Sequence, residues 1–181
     1  MNINKFTQKS MEAVQNCEKL AYEFGNQEID QEHLLKSLID QEDGLILKLI
    51  EKMEINTAHF SNRVTEYLNK KVKVQGGDLR ISNDLNKVLI TAEDEAKAMG
   101  DEYVSVEHLF LSLLKYPNKA MKELFKEYGI TRDRFLTALS TVRGNQRVTS
   151  DNPEATYDTL QKYGTDLVEK ARSQKLDPVI G

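Results

Sequence analysis

Apolar residues recur at intervals of three and four along most of this chain and nowhere alternate one by one, which is the spacing of helices. Met11, Val14, Cys17, Ala21 and Phe24 form the first stripe, with Thr7 placed as its N-cap and Gly25 as its stop. A second helix starts at Asp30 or Gln31 and buries Leu34, Leu35, Leu38 and Ile39. The third carries Ile46, Leu49, Ile50 and Met53, and the fourth follows the cap Asn56 with Phe60, Val64, Tyr67 and Leu68.

The plan then repeats. Ser82 precedes Leu85, Val88, Leu89, Ala92 and Met99, with Gly100 as the stop. Ser105 caps a helix bearing Leu109, Phe110, Leu113 and Leu114. Pro117 marks a loop before Met121, Leu124, Phe125 and Tyr128, and Thr131 caps Phe135, Leu139 and Val142. The pattern predicts an all-α protein of eight helices.

Residues 6–64, moved forward by 75 positions, fall without a gap on 81–139, and eleven of the 59 pairs are identical. Average composition would give roughly 6% identity by accident. The identities include Ala21/Ala96, Gly25/Gly100, Glu32/Glu107 and His33/His108, so they fall on helix ends as well as cores. A duplicated lobe of this size has a marginal core by itself, because below roughly 70–80 residues a single core rarely supplies more than a few kcal/mol. Two pseudo-repeated four-helix lobes, residues 1–75 and 76–144, should therefore pack as one domain, and the seam between them is the first place to look for a site. Residues 74–80, with Gly76 and Gly77, read as an exposed loop joining the lobes.

Past Val142 the chain turns polar, and residues 145–153 read as a flexible linker. Helical patterning resumes from Glu154 around Leu160, Tyr163, Leu167, Val168 and Ala171, without a repeat partner to cover it. Residues 154–181 thus look like the truncated start of a further domain, with high mobility expected after residue 150.

Composition narrows the function. A net charge of −4 and a pI near 5.5 give a field that repels nucleic acid and anionic membrane surfaces. The one basic knot, Lys70, Lys71 and Lys73, reads as a solvated helix C-terminus. No window resembles a signal peptide or a membrane span, so a cytoplasmic location is expected. Cys17 is the lone cysteine and lies on an apolar stripe, which favours packing over reactivity. Three dispersed histidines offer no metal-ligand spacing. His33 and His108 each follow a glutamate at the same place in each lobe, which points to a structural task done twice, such as capping. Asp40, Glu42 and Asp43 read as a solvated loop.

The tail Lys162, Tyr163, Gly164, Thr165, Asp166, Leu167, followed by Leu176, Asp177, Pro178, Val179, Ile180 and Gly181, resembles the entry to the first ATPase module of ClpB-type disaggregase chaperones. The opening Phe6, Thr7, Gln8, Lys9 and Ser10, the helix start Glu32, His33, Leu34 and its echo Glu107, His108, Leu109 resemble the duplicated Clp N-terminal domain. The resemblance implies a hexameric AAA+ ATPase that uses ATP and Mg and works with the DnaK system on unfolded or aggregated proteins. The chain itself holds no G-x-x-x-x-G-K-[ST] loop, so it is expected to lack enzymatic activity and to need no cofactor.

The same resemblance implies a shallow groove for unfolded segments, with Thr7, Asp101 and Glu107 as polar contributors, and Tyr103 and Val104, in the short stretch between helices, are read as replacement contacts for its lining. Family positions that often hold leucine are Thr91, Glu95 and His108 here, so the groove is less apolar than the family pattern. Weak binding, micromolar to millimolar, is expected. Docking of a folded adaptor, as in ClpA and ClpC, is the alternative function.

Overall fold

The computed structural model describes residues 3–74 and 76–154. Eight helices follow the apolar stripes: α1 Gln8–Glu23, α2 Gln31–Asp40, α3 Leu45–Lys52, α4 Thr57–Asn69, α5 Asn83–Ala98, α6 Val106–Lys115, α7 Lys119–Tyr128 and α8 Arg132–Arg143. Four of the hydroxyl or amide caps read from the sequence are made, whereas the Ser105 hydroxyl donates to Glu107 rather than capping α6. Thr7 Oγ1 accepts from the Ser10 N–H, Asn56 Oδ1 from His59, Ser82 Oγ from Leu85 and Thr131 Oγ1 from Arg134. α7 takes its cap from Asn118, which the sequence reading passed over beside Pro117. Each cap satisfies a backbone N–H that has no partner within its helix. Ser82→Ala should cost about 1 kcal/mol, read as a shift of the urea midpoint at unchanged slope.

α1 and α5 end alike. Gly25 and Gly100 adopt φ of 71° and 72°, a conformation glycine takes without steric cost. The next residue then bonds back into the helix, Asn26 N–H to Ala21 O at 2.8 Å and Asp101 N–H to Ala96 O at 2.9 Å. This places the side chains of Asn26 and Asp101 over the starts of α2 and α6.

The lobes exchange their leading segments. Two-residue strands β1 Glu28–Ile29 and β2 Arg80–Ile81 pair in parallel, so the start of the second lobe lies against the first. Phe6 bridges Val104 in the same way, with the lobes reversed. The bonds match by the 75-residue shift: Ser82 N–H to Ile29 O and Thr7 N–H to Val104 O, both 2.9 Å. These short strands are an addition to the all-α expectation, and they end the 74–80 loop one residue early. The helices α3, α6 and α8 meet across the seam, and the buried side chains form one continuous core. Phe110 stacks on Phe135 with ring centroids 4.5 Å apart at its centre.

Cys17 is buried and its Sγ–H donates to Ala13 O; burial pushes the thiol up to about 12, so it packs and does not react. The basic knot is less solvated than expected. Lys71 bonds Glu32 and Asp30, and Lys73 donates to Phe24 O at the end of α1.

A second difference concerns the polar stretch after Val142. Val148 is fully buried, its N–H donates to Asp101 and its carbonyl accepts from Glu102 N–H. Gln8 N–H donates to Asp151 O at 2.7 Å, and Pro153 and Glu154 are buried. Contact with the double lobe thus continues through residue 154 rather than ending at 144, because Val148 supplies an apolar anchor within an otherwise polar run. The sequence predicts mobility after residue 150, but Asp151 and Glu154 are bonded to the lobes; the rest of the expected mobile tail and the expected helices beyond Glu154 fall on residues 155–181, outside the described residues.

Candidate functional site

At the start of α2 and α6 the repeat builds the same device. Asp30 N–H donates to His33 Nδ1 at 2.9 Å, and Ser105 N–H to His108 Nδ1 at 2.8 Å. Each histidine thus takes the part of the glutamate in a capping box, reaching back to the N-cap backbone. Because Nδ1 accepts, Nε2 carries the proton and points at Asn26 Oδ1 in the first lobe, at 2.9 Å, and at Asp101 Oδ2 in the second, at 2.6 Å. Burial, with the charge of Lys71 added, pushes His33 down to about 4 and keeps its ring neutral. The structural task expected of the paired histidines is present in both lobes.

The carboxylates beside these histidines are paired internally. Arg143, at the end of α8, donates to Asp101 Oδ1 and, at 3.3 Å, to Glu107 Oε2; all three side chains are almost fully buried. Burial alone would raise the Asp101 carboxyl, but bonds from His108, the Val148 N–H and Arg143 outweigh it and hold it below the usual carboxylate range. Glu107 also accepts from the Ser105 hydroxyl. Lys71 fills the equivalent place in the first lobe, 2.7 Å from Glu32.

The two seams differ where the repeats differ. At the first residue of α2, Gln31 reaches across the lobes: its Nε2 donates to Asp84 O and Tyr116 O at 3.0 and 2.8 Å, and its Oε1 accepts from Asn118 N–H at 2.7 Å. The equivalent residue at the start of α6 is Val106, which can make none of these bonds. Beside Val106 lies a cavity of about 310 Å³, lined by Lys9, Gln41 and Asp43, the repeat equivalents of Asp84, Tyr116 and Asn118, and by Val142 and Glu154. One seam is filled by Gln31; in its counterpart Gln41 Nε2 donates to Lys9 O at 2.8 Å and a cavity remains, so it is the more open of the two.

Glu154 sits at the mouth of the open seam. Its Oε2 accepts from the Thr7 hydroxyl at 2.8 Å and from Val106 N–H at 3.2 Å. In the first lobe Asp30 receives the Ser82 hydroxyl at 2.8 Å, and the residue equivalent to Asp30 is Ser105. Glu154 thus supplies from the tail a carboxyl that the second lobe lacks. Glu154 Oε1 is buried without a hydrogen-bond partner among the described residues. Burial first, and the nearby charge of Glu107 second, push its carboxyl up to about 7.

The residues expected to bind polypeptide are therefore adjacent but mostly internal. Thr7 and Glu107 are fully buried and Asp101 nearly so, each bonded within the chain; Tyr103 is half-buried and lines depressions on either side of it, one shared with Thr7 and Asp151 and one with Asp101. The positions that depart from leucine are likewise satisfied by polar partners. Thr91 meets Ser112 at 2.7 Å, and Glu95 holds Arg132 through both oxygens at 3.0 and 2.7 Å. Val106 and Glu154 escaped the sequence reading, although the mismatch of Gln31 with Val106 was visible once the repeats were aligned. No group of three His, Cys, Asp or Glu among the described residues could hold a metal ion, and no described helix is long and apolar enough to cross a membrane.

Comparison with known proteins agrees with this mostly helical fold. The profile of the Clp repeat (R) N-terminal domain matches residues 5–128. Over the whole chain, identity is 46% to chaperone protein ClpB of Nitratidesulfovibrio vulgaris and 41% to ClpB of Bacillus anthracis, covering 22% and 21% of those proteins. The chain thus spans about a fifth of the curated relatives it matches. Among solved structures, the Hsp104 N-terminal domain from Candida albicans superimposes with a TM-score of 0.73 at 26% identity, covering 83% of this chain and 99% of that one.

Proposed function

Since the chain belongs to the Clp N-terminal domain family, in its ClpB branch, we propose that it is the polypeptide-engaging domain of an ATP-dependent disaggregase and that the open seam at Val106 is where it engages. The observation that carries this reading is the difference between the seams. A buried glutamine fills one, whereas its replacement by Val106 leaves a cavity with an apolar floor of Val106, Val142 and Leu45 and a rim bearing Lys9 and Lys48. Tyr103, close by on the surface, supplies an aromatic face of the kind that gives contact area at small entropic cost.

A cavity of this volume takes one or two side chains of an extended segment. The expected affinity is accordingly weak, since the apolar area buried barely exceeds the cost of ordering a flexible chain. Weak, unselective capture suits delivery of many unfolded or aggregated clients to a hexameric ring. The ATP and Mg chemistry and the cooperation with a DnaK system belong, on this reading, to the other four-fifths of the protein.

Val106→Gln tests the assignment, because it places in the cavity the side chain that fills the equivalent seam at Gln31, facing Lys9, Gln41 and Asp43 in place of Asp84, Tyr116 and Asn118. It should leave the helical signal and thermal midpoint nearly unchanged and weaken binding of casein, an unfolded model polypeptide, at least tenfold. Casein bound as tightly as by the wild-type chain would contradict the assignment. Tyr103→Ala should weaken it several-fold, with little dependence on salt. A strongly salt-dependent loss would favour adaptor docking through charged rims.

A further inference from the structure

The segment that ends at the open seam is docked on the lobes, and its last described residue, Glu154, lines the cavity. Val148 inserts as an apolar anchor, Asp151 accepts from the backbone and side chain of Gln8, and Glu154 closes over Thr7 and the first N–H of α6. The two donors, Thr7 Oγ1–H and Val106 N–H, converge on a single oxygen. Such a pair receives the carbonyl of an extended polypeptide equally well. We propose that residues 148–154 form an autoinhibitory strap, which occupies the seam through Glu154 and must let go before an unfolded polypeptide can enter. This rests on the reading of the seam as the client site.

The strap is built to be released. Among the described residues one buried oxygen of Glu154 has no hydrogen-bond partner, and the charge of Glu107 on α6, itself paired with Arg143 from α8, lies close enough to act on it. The other charged groups lining the cavity with it are Lys9 of α1, Lys48 of α3 and the loop carboxylates Glu42 and Asp43, and Asp151 lies along the strap itself. The docked carboxyl titrates near 7 against an ordinary 4.5. A raised carboxyl favours the docked state fully below pH 4.5, and that advantage is lost as pH rises through 7. Docking should weaken by up to about two orders of magnitude across that window.

Four amides report the strap without any client: Gln8, Glu102, Val106 and Val148, each donating to or from it. In the 181-residue chain their hydrogen-exchange protection should fall at least tenfold between pH 5 and pH 8, while that of Ser82, in the equivalent bond of the closed seam, stays level. Glu154→Gln keeps an acceptor oxygen and removes the titration, so its protection should be flat with pH. Glu154→Ala should be unprotected at both and bind casein at pH 6 several-fold more tightly than Glu154→Gln. Protection that ignores both pH and these substitutions would overturn the strap. Opened amides with unaltered casein affinity would overturn its guarding role. Casein bound by none of the three chains would overturn the client reading beneath it, a result that the amide measurement, made without casein, keeps separate.

Discussion

Replacing Arg143 with alanine should cost roughly 3–5 kcal/mol of unfolding free energy, the penalty for leaving buried carboxylates without their cation. Arg143 is the cation that Asp101 and Glu107 share, and none of the three side chains is more than 2% exposed. The loss should appear as a urea midpoint shift and as a fall of roughly 10 °C in thermal midpoint. Lys71→Ala in the first lobe should cost much less. Lys71 is 19% exposed, and Glu32 keeps a bond from the Asn118 amide at 2.7 Å. Equal losses in the two lobes, or a loss under 1 kcal/mol for Arg143→Ala, would contradict this description of the network. Thr7, Asp101 and Glu107 are held inside the fold in the same way, so alanine at those positions reports stability before it reports binding.

Acid should weaken the first lobe well above the pH at which carboxylates protonate. His33 is neutral when folded because burial, with the charge of Lys71 added, pushes it down to about 4 from an ordinary 6.5. A base whose folded value is depressed binds more protons when unfolded. Its contribution is therefore complete above pH 6.5 and is lost as pH falls toward 4, by about 3 kcal/mol in total. Asp30 and Asp101, both held below the usual carboxylate range, extend the loss to lower pH. Glu154 runs the other way, favouring its docked state as pH falls through the same window. The comparison that isolates His33 is His33→Gln, since glutamine at that position can also accept from the N-cap backbone. The substitution should flatten the slope of unfolding free energy between pH 6.5 and 4. A slope identical to wild type would show that protonation of His33 does not limit acid stability.

The helices were legible because each needs one apolar stripe and one capping residue, both local features of the sequence. The repeat added the pairing of His33 with His108 and the expectation that the lobes share a core. What stayed hidden depends on residues brought together only by the fold. The hydroxyl of Thr7 was read as a cap, which it is, but its second partner is 147 residues away. Lys71 was read as solvated because nothing local shows that it turns back onto Glu32. The contacts of residues 148–154 with the lobes stayed hidden because a single Val148 among polar residues leaves no periodic signal. The short strands escaped because two residues are too few to show alternation. The asymmetry of the seams was present in the aligned repeats as Gln31 against Val106, but its meaning required the backbone groups that Gln31 reaches.

The most direct test of the open-seam account is a heteronuclear NMR titration of the 181-residue chain with casein, in low and high salt. Shifts concentrated at Lys9, Tyr103 and Val106 and persisting in high salt, with the region around Gln31 unmoved, are the predicted result. Shifts that vanish with salt, or that fall equally on the closed seam at Gln31, would contradict it.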